Sequence, residues 1–181
     1  FWGQFGWMGV LLDTRIYQAL AILSALAVIS FFVWALRTWR RRATRPRWQW
    51  AAGFLLVTSG ILTLAAYLWY NTQFVQHQGR YLFTALIPIS LAAALGWREA
   101  LRRERAWPLA AALLVGAAAL RLAGLLPNWP LLMLVATAIA LAVRRFLPRG
   151  LDPFIHACPY MLLIVLDLAS LVFFIVPQLT V

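Results

Sequence analysis

The stretch YQALAILSALAVISFFVWAL, residues 17–36, carries no charge, and RTWRRRATRPR, residues 37–47, follows it at once with six arginines. A helix rises about 1.5 Å per residue, so roughly 20 apolar residues cross the hydrocarbon layer of a bilayer. The same pairing of an uncharged span with a cationic flank recurs along the chain. That recurrence sets the fold class as an all-α integral membrane protein. Working outward, transmembrane spans are expected at about 17–36, 50–70, 81–97, 108–126, 129–145 and 154–176. They form a bundle of about six transmembrane helices over residues 17–181. The fifth span is the short one, its apolar part running only from Leu131 to Val143. Residues 1–16, aromatic but broken by Gly3, Gly6 and Gly9, are expected to lie along the outer interface.

Thirteen of the sixteen arginines fall in three clusters: Arg37 to Arg47, Arg98 to Arg105, and Arg144 to Arg149. These clusters follow the first, third and fifth spans. By the positive-inside rule those loops face the cytoplasm, which leaves both ends of the chain extracytoplasmic. The expected location is the bacterial cytoplasmic (inner) membrane, crossed several times. Trp34, Trp39, Trp48, Trp50, Trp97 and Trp107 fall at the inner boundaries and Trp69 and Trp129 at the outer ones, where amphipathic rings bridge lipid and water.

Composition agrees, with 64% hydrophobic and 12% charged residues. The formal charge of +11 flanks apolar spans and does not line one basic surface, so nucleic acid is excluded as a partner. A single cysteine, Cys158, rules out an intrachain disulfide and a multi-cysteine metal centre. His77 and His156 are too far apart in the topology to supply a tetrahedral metal site, and neither a metal nor another cofactor is expected. No phosphate-binding glycine loop or serine triad is visible. The chain opens on Phe1 without a basic-then-apolar signal segment, so it is expected to be part of something longer.

Chemistry is sought among the exceptions to the charge pattern. Arg15 and Arg80 are expected at the outer surface, away from the clusters. Arg80 belongs to His77-Gln78-Gly79-Arg80-Tyr81. There it is either an anchor snorkelling to headgroups or a fork that grips a phosphate. Arg121 and Asp167 fall within apolar spans, where an unpaired charge costs several kcal/mol. They are expected to form an intramembrane polar pair, either as a structural ion pair or as part of a functional pocket. Asp13, next to Arg15, is expected to form a local ion pair. Pro88 and Pro159 can kink the third and sixth spans.

The opening words Phe1-Trp2-Gly3-Gln4-Phe5-Gly6-Trp7-Met8, the words Gln78-Gly79-Arg80-Tyr81-Leu82-Phe83 and the closing Phe173-Phe174-Ile175-Val176-Pro177 together resemble the C-terminal region of a bacterial family of polytopic membrane proteins. That family is related to the GT-C glycosyltransferases, which take sugar from a polyprenyl-phosphate donor. The resemblance implies that Arg80 and Arg15 meet a lipid-linked phosphate at the outer leaflet, with Gln78, His77 and Tyr81 shaping the pocket. The catalytic acid of GT-C enzymes lies in their first outer loop, and nothing in this chain matches it, so no residue receives a catalytic role. The sequence therefore supports two functions. One is the membrane region of a GT-C-like transferase, with membrane lipids and a polyprenyl-phosphate sugar as partners. The other is a non-catalytic accessory subunit packed on the subunits of a larger respiratory or photosynthetic membrane complex.

Overall fold

The computed structural model describes residues 13–40, 46–73 and 79–176, with the backbone alone at 79–81 and 174–175. Six α-helices account for most of them: α1 (Thr14–Arg40), α2 (Arg47–Gln73), α3 (Leu86–Ala100), α4 (Arg103–Leu122), α5 (Asn128–Val143) and α6 (Asp152–Ser170). No strand occurs among the described residues. Five helical segments are long and apolar enough to cross a membrane, while α5, at 16 residues, is shorter.

The start of α1 and the end of α4 have local causes. Asp13 caps α1: its Oδ1 accepts the backbone N–H of Arg15 at 2.7 Å, and its carbonyl accepts that of Ile16. α4 stops at Leu122 because Gly124 takes a left-handed conformation, φ +70. The N–H of Leu125 then returns to Leu120 O and that of Gly124 to Arg121 O, which satisfies carbonyls the helix end leaves open. This cap ends α4 four residues short of the span expected to reach Leu126. At its start, the helix extends back beyond Pro108 to Arg103.

The third span changes helix type just before the proline at 88. Pro88 sits in the first turn of α3, where a missing N–H costs little, and a 3₁₀ segment, Gly79–Ala85, precedes it. An α-helix continued through this region would need residue 88 to donate to Thr84 O, and proline cannot. α6 runs uninterrupted in register past Pro159 and then widens into a π turn at Leu171–Ile175.

Packing divides the bundle into a core and two flanks. Leu26 of α1, Ala100 of α3, Ala110 of α4 and Ala138 and Leu141 of α5 form the buried cluster, with Trp97, Leu109 and Leu113 against it. α1 packs most extensively on α3, and α4 on α5. Small residues permit these approaches: Ala106, Ala110 and Ala117 lie on the buried side of α4, and Gly96 of α3 meets the backbone of Ala27. α2, in contrast, buries no residue. It rests on the 3₁₀ segment and α3 through Gly60 beside Pro88 and through a 3.2 Å hydrogen bond between the hydroxyls of Thr63 and Thr84. α6 buries only Ser170.

Successive helices run in opposite directions, so the described members of all three arginine clusters share one end of the bundle. Arg37 of α1 meets Glu99 of α3 there, while Trp39 and Trp50 meet edge to face between α1 and α2. At the opposite end, the Trp129 indole N–H donates to the Arg15 carbonyl at 3.2 Å.

Candidate functional site

The two buried charged residues among those described are Glu99 and Arg144, each 2% exposed, and both stand at the arginine-rich end. Burial at this level removes water from ionic groups, which is tolerable only with compensating charge. Glu99, in the last turn of α3, collects that charge from three directions. Arg37 Nη1 donates to its Oε1 at 2.8 Å, and Arg105 Nε lies 3.6 Å from the same oxygen. Arg102 Nε is 3.0 Å from Oε2 but outside hydrogen-bonding geometry, so that contact is electrostatic. One carboxylate thus ties α1, α3 and the start of α4.

Asp152 does the same for α4, α5 and α6. Placed at the first position of α6, its Oδ1 accepts from Arg103 Nη2 at 3.2 Å and lies 2.9 Å from Arg144 Nη2. A carboxylate here also suits the positive end of the α6 dipole. Arg103 Nη2 donates to Leu147 O as well, and Arg144 Nε donates to Leu101 O at 3.2 Å, which satisfies a carbonyl at the end of α3. Between these groups lies a cleft of about 290 Å³, walled by Arg102, Arg103 and Glu104, by Arg144, and by Asp152 and His156.

The residues singled out by sequence are more scattered. Arg15 lies at the opposite end in the first turn of α1, its guanidinium carbon 5.5 Å from the centre of the Trp129 ring. Asp13 meets Arg15 through the backbone N–H, as a helix cap, and no ion pair joins the two side chains. Gly79, Arg80 and Tyr81 open the 3₁₀ segment at that same end, described as backbone. His77 and Gln78 lie outside the described residues.

Arg121 falls in the last turn of α4, where its Nη1 donates to Leu126 O at 3.0 Å and closes the turn into α5. Asp167 is exposed on α6. The structure does not bring these two together: among the described residues the ion-paired acids are Glu99 and Asp152. α4 packs chiefly on α5 while α6 packs on α3, and α4 ends early. That end puts Arg121 at a helix terminus, where bare carbonyls attract a cation.

Glu99, Arg144 and Asp152 have no place among the sequence candidates, because the arginine clusters report there only on orientation, and His156 enters only as a rejected metal ligand. A signal was available: three of the five acidic residues, Glu99, Glu104 and Asp152, lie within or beside runs of arginine. An acid held there is surrounded by cations wherever the helices meet. Among the described residues no three His, Cys, Asp or Glu side chains converge as a metal site. No known protein family, curated protein or solved structure matches this chain.

Proposed function

We propose that the chain is a membrane-embedded helical bundle that serves as the packing region of a larger membrane protein or complex, with its arginine-rich end in the cytoplasm. The observation that carries this reading is the division of labour among its side chains. At one end, two carboxylates and five arginines spend their charge on one another and join five helices. Along the flanks, α2 offers Phe54, Leu55, Ile61, Leu62 and Leu68 to its surroundings. Apolar surface on that scale is stable only against lipid or another protein.

Orientation is tested with single cysteines in a Cys158→Ala background, labelled in intact cells by a membrane-impermeant maleimide. Asn128→Cys should react, and Thr38→Cys should react only after permeabilisation; the reverse pattern rejects the orientation. The packing role requires stoichiometric co-purification with other membrane subunits. A chain that purifies alone and turns over a lipid-linked sugar rejects that role.

A second reading keeps the lipid-phosphate function at the other end. What favours it is the backbone position of Arg80, at the start of a 3₁₀ segment packed on α2 and remote from the arginine clusters. Residues 77–81 would then face a polyprenyl-phosphate sugar at the outer leaflet, as in a GT-C-like transferase. Arg80→Ala at unchanged expression should weaken binding of a polyprenyl-phosphate lipid, and undiminished binding removes this reading.

A further inference from the structure

Four of the five acids have a place: Asp13 caps α1, Glu99 and Asp152 are held by arginines, and Glu104 stands exposed in the first turn of α4 at the arginine-rich end. Asp167 is exposed too, yet it lies roughly 22 Å along α6 from Asp152 and roughly 13 Å from Val176. It makes no hydrogen bond or ion pair among the described residues. Tyr160, seven residues earlier, is 43% exposed, and its hydroxyl has no partner among them either. Seven residues are close to two turns, so the two polar groups share one face of α6. Leu163 and Ile164 lie between them and Leu171 beyond, all exposed.

With α6 crossing the membrane, as the packing role has it, Asp167 stands at apolar depth. A carboxylate there is costly unless it pairs with a charge or faces protein. The chain has no such charge to offer: each described arginine side chain belongs to a helix end or to a segment between helices, and Arg121 is spent on Leu126 O. Lipid supplies nothing in its place, since acyl chains carry no donors and headgroup phosphates are themselves anionic. A second copy of this chain fits no better, because its described arginines stand at the ends as well. We propose, on the basis of the packing role, that this face of α6 docks a transmembrane helix of another protein, one whose arginine or lysine at mid-membrane depth pairs with Asp167. The Tyr160 hydroxyl gives the face a second polar contact, two turns nearer the arginine-rich end.

The probe is a synthetic transmembrane peptide of leucine and alanine with one central arginine, compared with the same peptide carrying leucine there. Each is reconstituted with the full chain in phosphatidylcholine vesicles at rising peptide-to-lipid ratio, and association is read by energy transfer from the protein's tryptophans to a dansyl group on the peptide. The arginine peptide should associate about tenfold more tightly than the leucine peptide. Asp167→Asn should erase that preference, and Tyr160→Phe should weaken association about twofold. Both side chains are exposed and unpartnered among the described residues, so neither substitution should lower the unfolding midpoint. Glu104→Gln, which removes an acid from the arginine-rich end, should leave the preference intact. Equal association of the two peptides, or a preference that survives Asp167→Asn, overturns the proposal. In native membranes a photocrosslinker at Leu163 should capture a span with arginine or lysine near its middle; capture of a span without one, or of a second copy of this chain, overturns it as well. Failure to co-purify with other subunits counts against the packing role, whereas loss of the arginine preference counts against this face, so the two failures are told apart.

Discussion

At Gly96 a Cβ built on the backbone would stand 2.0 Å from the carbonyl oxygen of Ala27. The obstacle is backbone, so no rotamer change relieves it, and α3 must move off α1. Gly96→Ala is expected to destabilise the bundle by about 1–3 kcal/mol, as overpacking does, and to lower its unfolding midpoint in detergent. A midpoint equal to wild type would mean that the two helices do not touch there. Glu99 is a second sensitive position. Glu99→Gln leaves Arg37, Arg102 and Arg105 crowded around a neutral amide. Removing one partner of a buried pair costs about 3–5 kcal/mol. Here the three arginines remain 28–41% exposed, so a loss of about 2 kcal/mol is expected by denaturant titration. Neither position stood out in the sequence. Gly96 is one glycine of ten, and Glu99 one acid among arginines; their importance arises only when α1 and α3 meet.

At the scale of elements, helix ends were less legible than helix existence. Uncharged runs of sufficient length showed where helices had to lie, because charge is costly in lipid. They could not show that Pro88 would confine the preceding turn to 3₁₀ geometry, or that Gly124 would end α4 at Leu122 and turn Arg121 into a capping side chain. Those outcomes depend on single backbone donors and one left-handed residue, which apolar patterning does not register. α6 is lightly held: Ser170 is its sole buried residue, and Asp152 fastens it to Arg103 and Arg144. Asp152→Asn should therefore loosen α6 before the rest. Hydrogen exchange in membrane mimetics should rise along residues 152–170 while α4 and α5 stay protected. Uniform acceleration across all helices would instead mean that α6 is part of the cooperative core.

For the molecule as a whole, the alternation of spans and arginines carried the helical class and the sharing of one end by the three clusters. It carried nothing about which helices pack together. α1 has its principal partner in α3 and a lesser one in α5, whereas α2, its neighbour in sequence, lies outside the buried cluster. That order has a consequence during synthesis. The residue that receives Ala27 is Gly96, made about 70 residues later, roughly 4–14 s at ordinary rates of translation. Through that interval α1 is without its partner, available to chaperones and to quality-control proteases. A chain stopped after Gln73 should accordingly be degraded several times faster in a pulse-chase experiment than one extended through Leu122. Equal lifetimes would show that α1 can mature without α3. α1 is thus made well before the helix that secures it, and its survival depends on how quickly the ribosome delivers α3.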